Sequence, residues 1–262
     1  MTLLQDPRVR SVRWRDLVTL RPAERVRELL LPLSWLLLGL LAARDGLFPL
    51  ALFGSFYFYL TGLRLVHDAF HCNLGLPRWA NDGVQLVLSV LMLGSMHAVR
   101  VTHLEHHRDC LGPSDTEGAT ARRGAAGALL SGVLFPLKLH AAALRLAAPR
   151  QLRWIMGELA LSAIAIAAAF ASGSGMLRYH VLAMAVGQTL TGFFAVWTVH
   201  HDCDRWHQLA RTLRNRFKSA LAFGMFYHLE HHLYPRVPTC HLPTLARRLD
   251  QMAPDLAHRQ VY

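Results

Sequence analysis

Long uncharged apolar runs, separated by short segments that carry arginine, are the main pattern in this chain of 262 residues. A helix needs roughly 20 apolar residues to cross the hydrocarbon core of a bilayer. The first run is short for a span, but Arg27 and Arg44 at its ends can extend their charges to the lipid headgroups. Very short turns join the first run to the second and the third to the fourth, which predicts two helical hairpins. The predicted transmembrane helices are 29–43, 47–66, 155–171 and 176–199.

Two further segments are apolar but fit a span less well. The run 84–96 is uncharged and short, which favours a half-inserted, interfacial or protein-buried helix over a spanning one. The stretch 127–148 contains Lys138, His140 and Arg145. These polar residues predict an amphipathic helix at the membrane surface.

The positive charge indicates how the chain is oriented. Of the 28 Lys and Arg residues, seven precede Glu28, ten lie between Arg64 and Arg153, and nine follow His200. The two hairpin turns hold only one each. By the positive-inside rule, the N-terminal, central and C-terminal segments are therefore cytoplasmic. The net charge of +11 flanks apolar runs, which is typical of a membrane protein, and we do not expect a nucleic-acid partner.

The polar ends and the cysteines add little to this topology. Residues 1–28 are too long and too charged to begin a signal peptide, so they are expected to be a cytoplasmic segment before a retained anchor. Residues 251–262 are expected to form a C-terminal tail. None of the four cysteines forms a C-x-x-C pair, which favours free thiols in a reducing compartment. They are Cys72, Cys110, Cys203 and Cys240.

Histidines are numerous, 16 in all, and most of them cluster. Residues three and four apart share one face of a helix, so the histidines of each cluster can point at one object. All three clusters and the pair that follows the fourth span also fall in the segments assigned to the cytoplasmic side, where sequence-distant clusters can meet. The clusters are His67 and His71, then His103, His106 and His107, then His228, His231 and His232, with His200 and His201 at the end of the fourth span.

This pattern predicts a metal site with two ions. Imidazole suits zinc, copper, iron and nickel, and eight histidines can hold two zinc ions as well as two irons, so the count alone leaves the metal open. No H-E-x-x-H protease motif is present. The remaining histidines are isolated and are expected to be structural or exposed: His97, His140, His180, His207, His241 and His258.

The three clusters, read as HDAFH, HLEHH and HLEHH in this order, resemble the histidine boxes of the membrane fatty acid desaturase and hydroxylase superfamily. The continuations HLEHHLYPRVP and HLEHHRDCLGPSDTEG are similar to acyl-lipid desaturases and to bacterial members respectively. The resemblance covers roughly 45–250 of a predicted membrane domain 29–250. It implies an all-α membrane protein with four transmembrane helices in two hairpins and a cytoplasmic helical cap that carries the site. The expected location is the bacterial inner membrane.

The resemblance also implies the chemistry of the site. It implies two non-haem iron ions, O2 as co-substrate and a ninth histidine ligand after the fourth span, for which His201 is preferred and His200 is the alternative. Carboxylates in or beside the boxes are candidates to hydrogen-bond the ligand N–H groups. These candidates are Asp68, Glu105, Asp109, Asp202 and Glu230.

The expected function is oxygen-dependent desaturation of a fatty acyl lipid. No flavin, nicotinamide, haem or iron–sulfur motif is present, so electrons are expected from a separate ferredoxin- or cytochrome-type protein. A lipid or carotenoid hydroxylase or ketolase with the same metal centre is the alternative. A metal transporter, which predicts ionisable residues within the spans, is disfavoured.

Overall fold

The computed structural model describes residues 2–261, which are mostly helical and contain no β-strand. Short helical turns such as Pro7–Arg10 precede the first long helix. Ten helices carry the architecture: α1 (Pro22–Arg44), α2 (Phe48–Phe70), α3 (Arg78–Met92), α4 (Met96–Arg108), α5 (Ala125–Leu146), α6 (Pro149–Ala171), α7 (Gly175–His200), α8 (Arg216–Leu221), α9 (His228–Leu233) and α10 (Leu242–Met252).

Each of the four predicted spans lies within a long helix, namely α1, α2, α6 or α7, and the fifth candidate is α5. Within the described residues, five helices are therefore long and apolar enough to cross a membrane, and the predicted count of four is not confirmed. The difference arises at 127–148, where polar residues favoured a surface helix. In the structure His140 Nε2 accepts a hydrogen bond from the Ser95 amide at 3.1 Å, so protein contacts satisfy this ring.

The short run 84–96 does not form one straight helix. It is divided between α3 and α4, whose axes differ in direction by 112°. Leu93 occupies the left-handed region at φ +59°, and Ser95 caps α4 by accepting a hydrogen bond from Ala98 N at 3.0 Å. Glu158 of α6 is fully buried and accepts hydrogen bonds from Ser95 Oγ at 2.6 Å and from His97 N at 3.0 Å. These contacts fix the bend and direct α4 towards the histidine clusters.

The α1–α2 hairpin combines close backbone packing with buried charge. A Cβ on Gly54 would lie 2.6 Å from the Gly39 backbone nitrogen, so both helices need a small residue at this crossing. Nearer the histidines, Arg64 forms an ion pair with Glu28, and both side chains are almost completely buried. Breaking such a pair leaves an uncompensated charge, which is costly. The pair therefore holds the N-terminal part of α1 against α2, one turn before His67.

The N- and C-terminal segments form a single layer beyond the ends of α2 and α7. Val9 and Leu17 pack with Leu245 and Leu249 of α10 in one apolar cluster. The His241 ring donates to the Leu17 carbonyl at 2.7 Å. The predicted tail is part of this layer, because Val261 is buried and its amide donates to Thr212 O at 2.9 Å; Tyr262 lies outside the described residues.

Replacing Gly54 by valine should destabilise the hairpin. The new side chain meets the Gly39 backbone, which cannot yield as a flexible side chain does, and overpacking of this kind costs about 1–3 kcal/mol. The matched control is Gly157→Val on α6, where a Cβ would have nothing within 4 Å. Thermal unfolding in detergent should give a lower midpoint for Gly54→Val only; equal midpoints for both variants would contradict the crossing.

Candidate metal centre

The three histidine boxes and the end of α7 meet at one place, and their rings form two groups. In the first histidine group, one ligand atom from each ring lies within 4.8 Å of the others. In the second histidine group, Nε2 of His200 lies 3.1 Å from His106 Nε2 and 3.0 Å from His228 Nε2. The first group is His67, His71, His103, His107 and His231, and the second is His106, His200, His228 and His232.

The spacing within each box explains how its histidines are divided. On α4, His103 and His107 are four residues apart, share a face and join the first group. His106 differs from His107 by about 100° around the axis and joins the second group. The same division occurs on α9, where His231 joins the first group and the flanking pair joins the second. An H-x-x-H-H sequence therefore supplies rings to both groups from one helix.

The hydrogen bonds of the outer ring nitrogens leave the inner nitrogens as bare lone pairs. His106 Nδ1 lies 2.7 Å from an Asp115 carboxylate oxygen, which can only accept, so Nδ1 carries the proton. His200 Nδ1 likewise donates to the Leu209 carbonyl at 2.8 Å. When both rings are neutral, their Nε2 atoms therefore present lone pairs to each other 3.1 Å apart. A cation bound between them would relieve the repulsion.

The distances fit a metal. The Nε2 atoms that face one another within the groups lie between 2.8 and 3.3 Å apart. Imidazole nitrogens bonded to one ion at 2.0–2.1 Å are separated by about 3 Å when they occupy adjacent positions. Both ring nitrogens of His67 are buried without a hydrogen-bond partner among residues 2–261, a cost that coordination to a metal removes.

Burial also keeps the third box ready to bind metal. Desolvation, followed by the neighbouring rings, holds the pKa of His231 and of His232 well below the ordinary histidine value. A neutral imidazole offers a lone pair, whereas a protonated one cannot bind a cation. The third box therefore supplies neutral nitrogen donors, which suit a borderline transition metal.

His200, the alternative in the sequence, lies among the converging rings, whereas the preferred His201 does not. The last turns of α7 are a π-helix at Gly192–Trp197 followed by Thr198–His200. His201 leaves the helix with extended backbone, and its ring stacks on Trp197 with centroids 4.1 Å apart. Its Nδ1 donates to the Trp197 carbonyl at 2.9 Å. The preference for His201 is therefore corrected, because a helix end cannot present adjacent residues in one direction.

The five carboxylates predicted to support the ligands have other partners. Asp68 accepts from Thr239 N and Oγ1, both at 3.0 Å, and thereby ties α2 to the chain after the third box. Glu230 is buried and accepts from Thr212 Oγ1 at 2.7 Å. The other three lie nearer the surface and pair with arginines: Glu105 with Arg108, Asp109 with Arg205 and Asp202 with Arg211. The structure thus contradicts this prediction, since proximity in sequence does not aim a carboxylate at a ring.

The carboxylates that contact the ligands come from the loop after the second box. Asp115 accepts from His106 as described, and the Glu117 carboxylate lies 3.2 Å from His103 Nδ1. Gly118 permits the turn, because a Cβ there would lie 2.1 Å from an Asp115 oxygen. The sequence contains these two carboxylates in the segment SDTEG. Only the folded structure shows that this loop packs back against the second box.

The isolated histidines lie outside both groups. His97 stacks on Trp154, and its Nδ1 lies 2.6 Å from Glu158. His180 donates to the Leu91 carbonyl at 2.8 Å, which links α7 to α3. One cysteine lies near the site: Cys110 Sγ is within 4.8 Å of donor atoms of the second group. His207 and His258 are exposed.

A cavity of about 780 Å³ leads from the histidines into the membrane part of the protein. Apolar side chains of α2, α5 and α7 form most of its wall, and Leu52 marks its far end on α2. From His67 to Leu52 the helix rises by about 22 Å. Six histidines border the near end: His67, His103, His106, His200, His228 and His231.

Replacing His200 by alanine should remove metal, whereas replacing His201 should not. His200 Nε2 contributes a lone pair to the second group, and the His201 ring is held against Trp197. Metal analysis of the two purified variants is expected to show a loss of about one ion per chain for His200→Ala and none for His201→Ala. The reverse result would return His201 to the ligand set.

Removing the charge of Asp115 or of Glu117 should weaken metal binding without abolishing it. Partners of this kind orient the ring and fix its tautomer, and their loss typically costs about 10–100-fold in metal affinity. Competition titrations against a chelator should detect this for Asp115→Asn and Glu117→Gln. Glu105→Gln is the matched control, because this glutamate pairs with Arg108 at 2.6 Å instead; an equal loss in that variant would exclude a specific effect.

The comparisons with known proteins agree with this arrangement. A search of curated proteins found no match. The family described as fatty acid desaturase matches residues 45–262, which include all three boxes, the end of α7 and most of the cavity wall. Because the match covers more than half of the sequence, the chain belongs to the fatty acid desaturase family.

Proposed function

We propose that this protein is a membrane-bound, oxygen-dependent di-iron desaturase that introduces a C=C bond into a fatty acyl lipid. The observation that carries the proposal is the apolar cavity that ends at both histidine groups. Such a wall offers no charged group along most of its length, as an alkyl chain requires. The family membership supports an oxidation of lipid chains by the same site.

The proposed ligands of the two irons are the nine histidines of the two groups, with His200 in place of His201. Iron with O2 supplies the power to break an unactivated C–H bond, which side-chain acids and bases lack. The protein's own residues hold this centre. Asp115 and Glu117 orient His106 and His103, and the wall around Val196 and Phe135 excludes water from the reacting carbon.

The proposed orientation places the site on the cytoplasmic face of a bacterial inner membrane. The end of α2, the end of α7 and the third box meet on one side of the helices, and most of the positive charge lies in segments on that side. Electrons are proposed to come from a separate ferredoxin- or cytochrome-type protein. Desaturation with O2 yields two waters, so the substrate supplies two of the four electrons and the donor supplies the other two.

Expression in a host of known lipid composition should test the reaction. We expect acyl chains lighter by two hydrogens in mass spectrometry of total lipids and of carotenoids. His231→Ala should abolish this product because it removes a donor from the first group, whereas His258→Ala, an exposed histidine, should retain it. A gain of oxygen in place of the loss of hydrogen would overturn desaturation in favour of hydroxylation or ketolation. Activity that requires zinc and not iron would overturn the di-iron centre.

A further inference from the structure

Two histidines of the first group reach the protein surface on a side away from the cavity. Four of the nine grouped histidines are partly exposed: His67, His71, His107 and His228. The cavity accounts for the exposure of His67 and His228, which line it. His71 and His107 do not line it, and their ring centroids lie 4.8 Å apart. Their exposed edges therefore face outwards, and the centre has one side towards the cavity and another towards the outside.

The surface around these two rings has a defined composition. On α4, Leu104 lies four residues after Arg100 and three before His107, so these three residues share a helical face, and Arg108, four residues after Leu104, borders it. Leu104 is 38% exposed, so this stripe carries an apolar residue between two arginines.

The segment that follows the third box completes this surface. Asn73, two residues after His71, donates to the Pro235 carbonyl at 2.8 Å. Arg236, the residue after Pro235, therefore lies near the end of α2, and both Arg236 and Cys72 are exposed. We call the surface formed by Cys72, Arg100, Leu104, Arg108 and Arg236 around the two rings the His71–His107 face.

The His71–His107 face presents positive charge to the outside. Arg108 pairs with Glu105 at 2.6 Å, but its side chain is 76% exposed while that of Glu105 is only 14% exposed. Arg100 lies 3.6 Å from Asp82, whose side chain is only 10% exposed. The guanidinium groups are thus more accessible than the carboxylates that pair with them. A positive rim around an apolar residue fits a partner with an acidic rim.

We propose that the His71–His107 face is the docking surface for the electron donor, and that this donor is a small acidic one-electron carrier. The inference rests on the proposed function, since only an oxidation that consumes two external electrons needs such a carrier. Two successive one-electron transfers through this face oxidise two reduced carriers, and the substrate and solvent each supply two protons for the two waters. The separation from the cavity lets the carrier bind while the acyl chain remains in place.

The proposal can be tested by measuring how tightly an acidic ferredoxin with a two-iron, two-sulfur cluster binds the protein. The protein is loaded with iron and embedded in phosphatidylcholine nanodiscs. Arg108→Glu with Arg236→Glu should weaken binding by about tenfold or more, because attraction becomes repulsion. The wild-type affinity should fall as ionic strength rises. A basic cytochrome c should not bind the wild type. Arg178→Glu is the matched control, an exposed arginine at the opposite end of α7.

A second measurement separates docking from chemistry. Stopped-flow reduction of the irons by reduced ferredoxin should slow in the double variant, whereas reduction by dithionite and the iron content should stay unchanged. The docking proposal would be overturned if the wild type did not bind ferredoxin, or if the double variant bound it as tightly as the wild type. It would also be overturned if Arg178→Glu lost as much ferredoxin affinity as the double variant, or if the affinity loss appeared only in vesicles of anionic lipid. If dithionite-reduced wild type converts no lipid, the proposed function fails, whatever the ferredoxin result.

Discussion

The mutual approach of unprotonated imidazole nitrogens is the interaction on which the rest of this structure depends. His106 and His200 each donate their outer proton to an oxygen, and their inner nitrogens face each other 3.1 Å apart. Lone pairs so placed repel unless a cation lies between them. A metal bound between these nitrogens would therefore contribute directly to the stability of this end of the protein.

Buried polar contacts at the same end oppose that repulsion. The Glu28–Arg64 pair fixes α1 to α2 just before the first box, and Asp68 ties α2 to the chain that follows the third box. Glu158 secures the bend from which α4 carries the second box. None of these charged side chains belongs to the two histidine groups. Each one instead fixes the position of a helix that carries them, and buried charges of this kind are tolerated because each has a partner.

The proposed chemistry follows from the difference between the two sides of the histidine cluster. The cavity is apolar and suits a lipid chain, while the His71–His107 face is polar, basic and open. An oxidation that uses a water-insoluble substrate and a soluble electron donor requires both. Because each H-x-x-H-H box is divided between the two histidine groups, one short helix supplies rings to both of them.

The sequence by itself determined the elements and the eight box histidines, because helical spacing and the length of apolar runs are local properties. The positions of α1, α2, α6 and α7 in the chain and the resemblance of the boxes to a known family were available without coordinates, although α1 and α6 extend beyond the predicted spans. It could not show how the polar residues of α5 are accommodated, because the contact between His140 and Ser95 joins residues distant in the chain. Only the tertiary structure distinguished His200 from His201 and Asp115 from the nearer carboxylates. The direction of the His200 ring depends on the π-helix that precedes it, and the position of Asp115 depends on a loop that folds back onto the second box. Both are set by packing between segments that are distant in the sequence.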